Sequence, residues 1–109
     1  MEELTGAARF EWDGRNRDKN RTLNGVEWWE IEEVFFNDPL LVAADATLPQ
    51  AQPPLHALGR TRSGRHLHVV FTTHGPAIRA ISGRPMKRKE RSIYAQAVRN
   101  GGSPALRRR

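Results

Sequence analysis

The chain lacks cysteine, which excludes disulfide bonds, thiolate metal sites and a cysteine nucleophile. Long apolar runs are also missing. One of the longest, Leu67–Phe71, is interrupted by His68 and falls far short of the roughly 20 residues that a membrane-spanning helix needs. The first ten residues, MEELTGAARF, are acidic and contain no apolar core of the signal-peptide type. The sequence therefore predicts a cytoplasmic protein with one domain and no membrane contact.

Acidic residues are scarce in the second half of the chain. Residues 1–54 carry 5 Lys+Arg and 11 Asp+Glu, whereas residues 55–109 carry 13 Lys+Arg and 1 Asp+Glu. The two halves thus have net charges of −6 and +12, which sum to the +6 of the whole chain. Such a split is typical of a surface that binds a polyanion. RNA is the favoured partner, and an acidic protein is the alternative.

Hydrophobic periodicity and turn residues predict an α+β fold. A short N-terminal strand and two helices precede an antiparallel meander of three to four strands, and a helix closes the chain. The connections at 62–65 and 74–76 are too short for parallel crossovers. Residues 10–98 are predicted to form the domain, with a flexible segment at 1–9, a proline-rich loop at 48–54 and a disordered basic tail at 99–109. The predicted strands and helices are, in order, 10–12, 13–24, 27–36, 40–46, 55–61, 66–73, 77–83 and 86–98.

Apolar residues at strand and helix spacing define the predicted core. Reading the tryptophans as platforms for RNA bases is the alternative, which their position in the acidic half disfavours. In the last helix, Met86, Ile93 and Ala97 are predicted to share one face with Glu90 and Tyr94. The predicted core residues are Trp12, Trp28, Trp29, Phe35, Phe36, Leu67, Val69, Phe71, Ile78 and Ile81.

The second half offers few groups for acid–base or metal chemistry. Glu90 is its single acid, so a pair of catalytic carboxylates is excluded there, and Glu90 is predicted to pair with basic neighbours on its own helix. His66 and His68 lie on one face of a strand, but no neighbouring ligand in the sequence completes a coordination set. The sequence therefore predicts neither a metal nor a cofactor.

Basic side chains are the remaining candidates for chemistry. In RNA cleavage the 2′-hydroxyl is an internal nucleophile, so a protein mainly has to align it and stabilise charge on the phosphoryl oxygens. The planar guanidinium of arginine suits the second task. The candidates in the meander and in the following helix are Arg60, Arg62, Arg65, Arg79, Arg84, Lys87 and Lys89.

Several segments together resemble the BrnT family of toxins from type II toxin–antitoxin modules. They are FEWD (10–13), NRDKN (16–20), NGV (24–26), EEVFFNDP (32–39), LGRTRSGRHLHVVFT (58–72) and IRAISGRPMKRKERSIY (78–94). The resemblance implies a fold like that of the RelE ribonucleases, an RNA-cleaving activity that stops translation, and a BrnA-like ribbon-helix-helix antitoxin. Operator DNA would then be bound only through the antitoxin complex. The basic positions of the family fall on Arg60, Arg65, Arg79, Arg84, Lys87, Lys89 and Arg91, and its tyrosine falls on Tyr94.

The favoured hypothesis is a metal-independent endoribonuclease in which Arg79 and Arg84 stabilise the phosphoryl oxygens. Tyr94 or His74 would transfer protons. The residues predicted to bind the RNA backbone are Arg60, Arg62, Arg65, Lys87, Lys89 and Arg91.

Two departures from the family pattern support an alternative hypothesis. Leu23-Asn24-Gly25 replaces Lys-His-Gly, and residues 50–54 are uncharged where the family carries charge. The alternative is an inactive homologue that binds the antitoxin and acts as a co-repressor. The basic segment 87–91 is left open between a solvated face, a phosphate-binding surface and the antitoxin site.

Overall fold

A computed structural model describes residues 9–44 and 53–101 of the chain. It confirms the predicted α+β order, with two helices before the meander and one after it. Outside the described residues lie residues 1–8 of the predicted flexible segment 1–9, residues 48–52 of the proline-rich loop and residues 102–109 of the predicted tail 99–109. None of the described helices is long and apolar enough to span a membrane. The elements are β1 (Arg9–Glu11), α1 (Gly14–Asn24), α2 (Trp28–Phe35), β2 (Leu41–Ala44), β3 (Leu55–Arg60), β4 (His66–His74), β5 (Ala77–Pro85) and α3 (Arg88–Arg99).

The five strands form one sheet in the order β1-β5-β4-β3-β2. Strands β2 to β5 are antiparallel, as predicted, and β1 pairs in parallel with the start of β5. The register of β4 on β5 shifts between Val70 and Phe71. Strand β1 begins at Arg9 and α3 ends at Arg99, each one residue outside the bounds 10–98 predicted for the domain.

Local signals in the sequence explain where the first two helices begin and end. The Asp13 carboxylate accepts a hydrogen bond of 2.8 Å from the backbone N–H of Arg15, which caps α1. Gly25 ends α1 with φ 66°, a left-handed conformation that glycine adopts without steric cost. The Glu30 carboxylate accepts a hydrogen bond of 2.9 Å from the N–H of Glu27 at the start of α2. Both predicted helices are therefore confirmed.

Helices α1 and α2 cover one face of the sheet. Ile31, Val34 and Phe35 of α2 are buried in a core with Leu67, Val69, Phe71 and Ile78 of the sheet. The helix lies so close to the sheet that only glycine fits beneath it. A Cβ on Gly59 would lie 2.5 Å from Val34 Cγ1, and one on Gly83 would lie 2.6 Å from Ile31 Cδ1.

Three asparagines of α1, spaced four residues apart, bind the backbone of β5. The Asn16 side chain donates to the carbonyl of Ala80 (3.5 Å) and the Asn24 side chain to that of Gly83 (2.8 Å). Between them, the buried Asn20 side chain accepts from the N–H of Gly83 (3.2 Å). Spacing of four residues places all three side chains on one side of the helix. This row of asparagines therefore attaches α1 to the part of the β5 edge that the three-residue β1 does not reach.

The predicted core is only partly correct. Phe35, Leu67, Val69, Phe71 and Ile78 are buried as expected, and Trp12 and Ile81 are half-buried. Three aromatic residues of the α2 segment are exposed instead, because a helix on one face of a sheet has an outer side that nothing in the described chain covers. They are Trp28 (39% exposed), Trp29 (47%) and Phe36 (55%). Of the residues predicted to share one face of the last helix, Met86, Tyr94 and Ala97 are buried, but Ile93 is 47% exposed.

Candidate functional site

The second face of the sheet, here called the open face, carries the polar side chains of β3, β4 and β5. Side chains alternate between faces along a strand, so residues next to the buried Leu67, Val69 and Gly59 point away from α1 and α2. Helix α3 crosses one end of the open face, where its Tyr94 ring contacts His66 edge-on at 5.4 Å between centroids. The side chains of this face include His56, Leu58, Arg60, His66, His68, Val70, Arg79 and Arg84.

His56 and His68 form the centre of the open face. His56 Nδ1 lies 2.9 Å from His68 Nε2, so the two imidazoles share a hydrogen bond. The rings are 5.0 Å apart between centroids and inclined by 17°. His68 lies directly opposite Arg84 in the β4–β5 register. His68 Nδ1 is 3.5 Å from Glu90 Oε2, but the contact does not meet hydrogen-bond geometry, and this buried nitrogen has no hydrogen-bond partner among the described residues.

Glu90 connects the sheet to the start of α3. Its two oxygens accept hydrogen bonds of 2.9 and 2.8 Å from the guanidinium of Arg84, and Oε1 also accepts from the backbone N–H of Lys87 at 2.8 Å. The hydrogen bonds from Arg84, followed by that from Lys87, lower the pKa of Glu90 to about 2. The prediction that Glu90 pairs with basic side chains of its own helix is wrong. Its partner is an arginine of β5, because the β5–α3 turn brings the two together.

Burial lowers the pKa of His68 below its ordinary value, and the positive charge of Arg84 lowers it further. The Glu90 carboxylate acts in the opposite direction but does not reverse the shift. His68 is therefore neutral at neutral pH, which leaves an imidazole able to exchange a proton with His56. We call His56, His68, Arg84 and Glu90 the central cluster.

A second group, the edge cluster, consists of Glu11, His74 and Arg79. Glu11 Oε1 lies 3.1 Å from Arg79 Nη2, and Oε2 lies 3.5 Å from His74 Nδ1. The side chains of Arg79 and His74 are 57% and 76% exposed. Five residues along one strand span about 16 Å, so Arg79 does not share a site with Arg84. The expectation that both arginines stabilise the same phosphoryl group is not supported.

The remaining predicted RNA-binding residues divide between the two faces. Arg60 donates to the carbonyl of Asp38 at 2.9 Å, beside α3. Arg65 points to the other side of the sheet, where it donates to the carbonyl of Gly25 and to the Glu30 carboxylate at 2.8 Å. Arg62 lines a groove beside α2. Arg62 and Arg65 therefore lie apart from the open face, because Arg65 has the same strand parity as the buried Leu67.

Helix α3 and its N-cap carry three of the predicted RNA-binding residues, Lys87, Lys89 and Arg91. Lys87 and Lys89 are exposed at its start, and Arg91 donates to the carbonyl of Met86 at 2.7 Å. Tyr94 is fully buried and its hydroxyl donates to the carbonyl of Pro39 at 2.6 Å. Burial raises the pKa of Tyr94 to about 12. These contacts give Tyr94 a role in fixing α3 to the sheet, and its part in proton transfer stays a prediction.

Sequence reasoning missed the pairing of His56 with His68 and the approach of Glu90 to it. The hairpin turn 62–65 places Arg60 opposite His66 and Leu58 opposite His68, so His56 is the diagonal neighbour of His68. The strand register could have shown the pairing, but the Glu90 contact depends on the angle at which α3 returns to the sheet. No group of three or more His, Asp or Glu residues suited to a metal ion occurs among the described residues.

An apolar groove of about 270 Å³ opens beside the central cluster. The two imidazoles form part of its wall, and Ile93 of α3 forms another part. A flat, apolar ring could lie in such a groove next to the shared histidine proton. The lining residues are Leu41, Val42, Ala43, His56, Leu58, His68 and Ile93.

Comparisons with known proteins agree with the fold. A family model described as the ribonuclease toxin BrnT of type II toxin–antitoxin systems matches residues 12–90. The crystal structure of the Brucella abortus ribonuclease toxin BrnT is similar, with a TM-score of 0.53 and 21% sequence identity. The similarity covers 72% of this chain and 96% of that chain. No curated protein sequence matches this chain.

Proposed function

The chain belongs to the family of BrnT ribonuclease toxins of type II toxin–antitoxin systems, and we propose that it cleaves RNA at the central cluster and so inhibits translation. The single observation that supports this site is the His56–His68 hydrogen bond of 2.9 Å beside Arg84. It combines a neutral proton acceptor with a guanidinium on the open face. The proposed partner is a BrnA-like ribbon-helix-helix antitoxin, and operator DNA is contacted only through that complex.

The proposed reaction needs no metal. The 2′-oxygen attacks the phosphorus as its proton passes to the histidine pair, and the bond from phosphorus to the 5′-oxygen breaks. The pair returns the proton to the 5′-oxygen, which leaves a 2′,3′-cyclic phosphate and a 5′-hydroxyl. General acid–base catalysis of this kind contributes typically 10²–10⁴-fold. Arg84 uses three of its N–H groups on Glu90 and Pro85, so two of the five that arginine carries remain for the phosphoryl oxygens.

The RNA backbone would extend from the central cluster along the basic residues around it. Lys87 and Lys89 lie at the start of α3 and Arg60 lies beside it, where their charges favour phosphate binding. Arg79, about 16 Å away along β5, would contact a different phosphate of the same strand. This arrangement assigns Arg84 to the cleaved phosphate and Arg79 to binding.

Cleavage of RNA by the purified protein in the presence of EDTA tests the proposal. His68→Asn and His56→Asn should each slow cleavage by about 10²-fold or more, since both remove the shared proton. His74→Asn is the matched control, because His74 is an exposed histidine of β4, the strand that carries His68, and lies outside the central cluster. It should cleave within about threefold of the wild-type rate. Cleavage by both central variants at the wild-type rate would exclude the central cluster as the site.

The second candidate function is an inactive homologue that binds the antitoxin and co-represses the operon. Arg65, Arg79 and Arg84 are each paired with a carboxylate, which lowers the positive charge available to a phosphate. This function predicts harmless expression without a partner and intact RNA in the same assay. Growth arrest that His68→Asn relieves would instead support the ribonuclease.

A further inference from the structure

The outer side of α2 is apolar although nothing in the described chain covers it. Trp28, Trp29 and Phe36 are 39%, 47% and 55% exposed, and they line a groove of about 660 Å³. We call this the α2 groove. Contiguous apolar surface of this kind on a monomer usually marks an interaction site. The lining residues are Trp28, Trp29, Glu32, Glu33, Phe36, Asn37 and Arg62.

The residues of the α2 groove form two rows along the helix, each with a spacing of four. One row is Trp28, Glu32 and Phe36, and the other begins with Trp29 and Glu33. Rows with this spacing are the ridges that interdigitate when two helices pack together. The geometry of the α2 groove therefore suits a helix rather than an extended segment.

The acids of the α2 groove are held in place by neighbouring groups. Glu32 accepts a hydrogen bond of 2.8 Å from the Trp12 indole, and Glu33 accepts one of 3.1 Å from the backbone N–H of Arg62. Neither carboxylate forms an ion pair within the described residues. Trp28 is packed beneath the guanidinium of Arg17, 5.2 Å from its ring centroid. Preorganised groups of this kind lose little conformational entropy when a partner binds.

We propose that the α2 groove binds an amphipathic helix of the antitoxin, with a lysine or arginine between two apolar positions one turn away on either side. The cation would lie between Glu32 and Glu33, and the apolar side chains would pack on the tryptophans and Phe36. The inference rests on the proposed function only in taking the antitoxin as the partner. RNA is disfavoured as the partner because Glu32 and Glu33 repel phosphate. A second copy of α2 is disfavoured because the same carboxylates of the two copies would face each other.

The α2 groove lies on the opposite side of the sheet from the central cluster. Helix α2 packs on the face formed by Leu67 and Val69, whereas His68 and Arg84 belong to the open face. The helix bound in the α2 groove would therefore hold the antitoxin without occupying the site of cleavage. The basic segment 87–91, which the sequence left open between a solvated face, a phosphate-binding surface and the antitoxin site, is not required for this contact.

The test is calorimetric titration of the protein with the BrnA-like antitoxin of the proposed function. Trp29→Ser and Phe36→Ser should each weaken binding about 30-fold or more, as central aromatic residues of interfaces do. Glu33→Gln keeps an acceptor for the Arg62 N–H and should weaken binding about 5- to 10-fold while reducing its dependence on salt. Leu23→Ser is the matched control, because Leu23 is 70% exposed on α1 and does not line the α2 groove. It should bind like wild type.

Two further measurements separate this inference from the proposed function. The four variants should cleave RNA like the wild-type protein, since none alters the central cluster. Weakened antitoxin binding supports the α2 groove even if no variant and no wild-type protein cleaves RNA. Wild-type antitoxin affinity in Trp29→Ser and Phe36→Ser would overturn the inference. Loss of RNA binding in those variants would also overturn it, because the α2 groove would then bind RNA. Loss of a dimer that the wild-type protein forms would do the same, because the groove would then bind a second copy of the chain.

Discussion

Glu90 shows how one residue can set the charge state of its surroundings. It is the single acid of residues 55–109, and its carboxylate holds Arg84 in place while it lies 3.5 Å from His68. The sequence identified Arg84 as a candidate by residue type and by the resemblance to the BrnT family. Residue type does not show that the guanidinium of Arg65 is already paired with Glu30 on the other face of the sheet. For this reason the sequence assigned Arg65 to RNA binding. Contacts between residues distant in the chain require coordinates.

Glu90→Gln should change the acid stability of the protein. Because the folded pKa of Glu90 is about 2, below the ordinary value of about 4.3, the ionised form stabilises the fold above about pH 4.3. That stability is lost as the pH falls toward 2. The variant should therefore unfold about 1–3 kcal/mol more easily at pH 7, with the difference shrinking in acid. Urea denaturation at several pH values measures it.

Asp18→Asn is the control for this prediction, because Asp18 is a carboxylate 75% exposed at 3.4 Å from Arg21. Exposed pairs of this kind contribute about 0–1 kcal/mol. If the Glu90→Gln difference is as small as that of Asp18→Asn, or grows as the pH falls, the assignment of a lowered pKa to Glu90 is wrong.

At the scale of the element, the start and end of α1 were predictable and the orientation of α2 was not. Asp13 and Gly25 act through neighbours in the chain, so their effect is visible in the sequence. The segment WWEIEEVFF has apolar residues on more than one side, and several choices of buried face satisfy its periodicity. The choice of Ile31, Val34 and Phe35 depends on Gly59 and Gly83, which admit this side of the helix to the sheet.

Gly59→Ala should test the close approach of α2 to the sheet. The added Cβ would lie 2.5 Å from Val34 Cγ1, so the helix has to move, which costs about 1–3 kcal/mol of unfolding free energy. Gly14→Ala is the matched control, since its Cβ would meet nothing within 4 Å and alanine favours a helix. A urea midpoint for Gly59→Ala equal to that of Gly14→Ala would contradict the packing described for α2.

At the scale of the whole molecule, the acidic first half and the basic second half of the sequence lie partly in different layers of the fold. Exposed lysines and arginines surround the open face at α3, whereas Glu32 and Glu33 lie on the outer side of α2. The division of charge and the order of elements were readable from the sequence because each half of the chain supplies mainly one layer. Arg62 and Arg65 depart from this division because side chains alternate around a hairpin turn. Helix α1 departs from it as well, because it carries Arg15, Arg17, Lys19 and Arg21.

RNA affinity should fall with salt through the basic residues around the open face. If about four phosphates are contacted, the slope of log K against log salt is about −3 for a single strand, and Lys89→Ala should reduce its magnitude by about 0.7. Arg15→Ala is the control, because Arg15 is an exposed cation of α1, in the other layer. Fluorescence anisotropy with labelled RNA measures the slopes. Equal losses in both variants would show that binding depends on net charge rather than on this surface.

The asparagine row of α1 also limits how copies of this protein can assemble. Strands normally recruit further strands through unpaired backbone groups at the margin of a sheet. Asn16, Asn20 and Asn24 already engage such groups on Ala80 and Gly83. A foreign strand would have to displace a whole helix before it could extend the sheet there. Growth into fibres by strand addition is therefore blocked along this margin by side-chain amides.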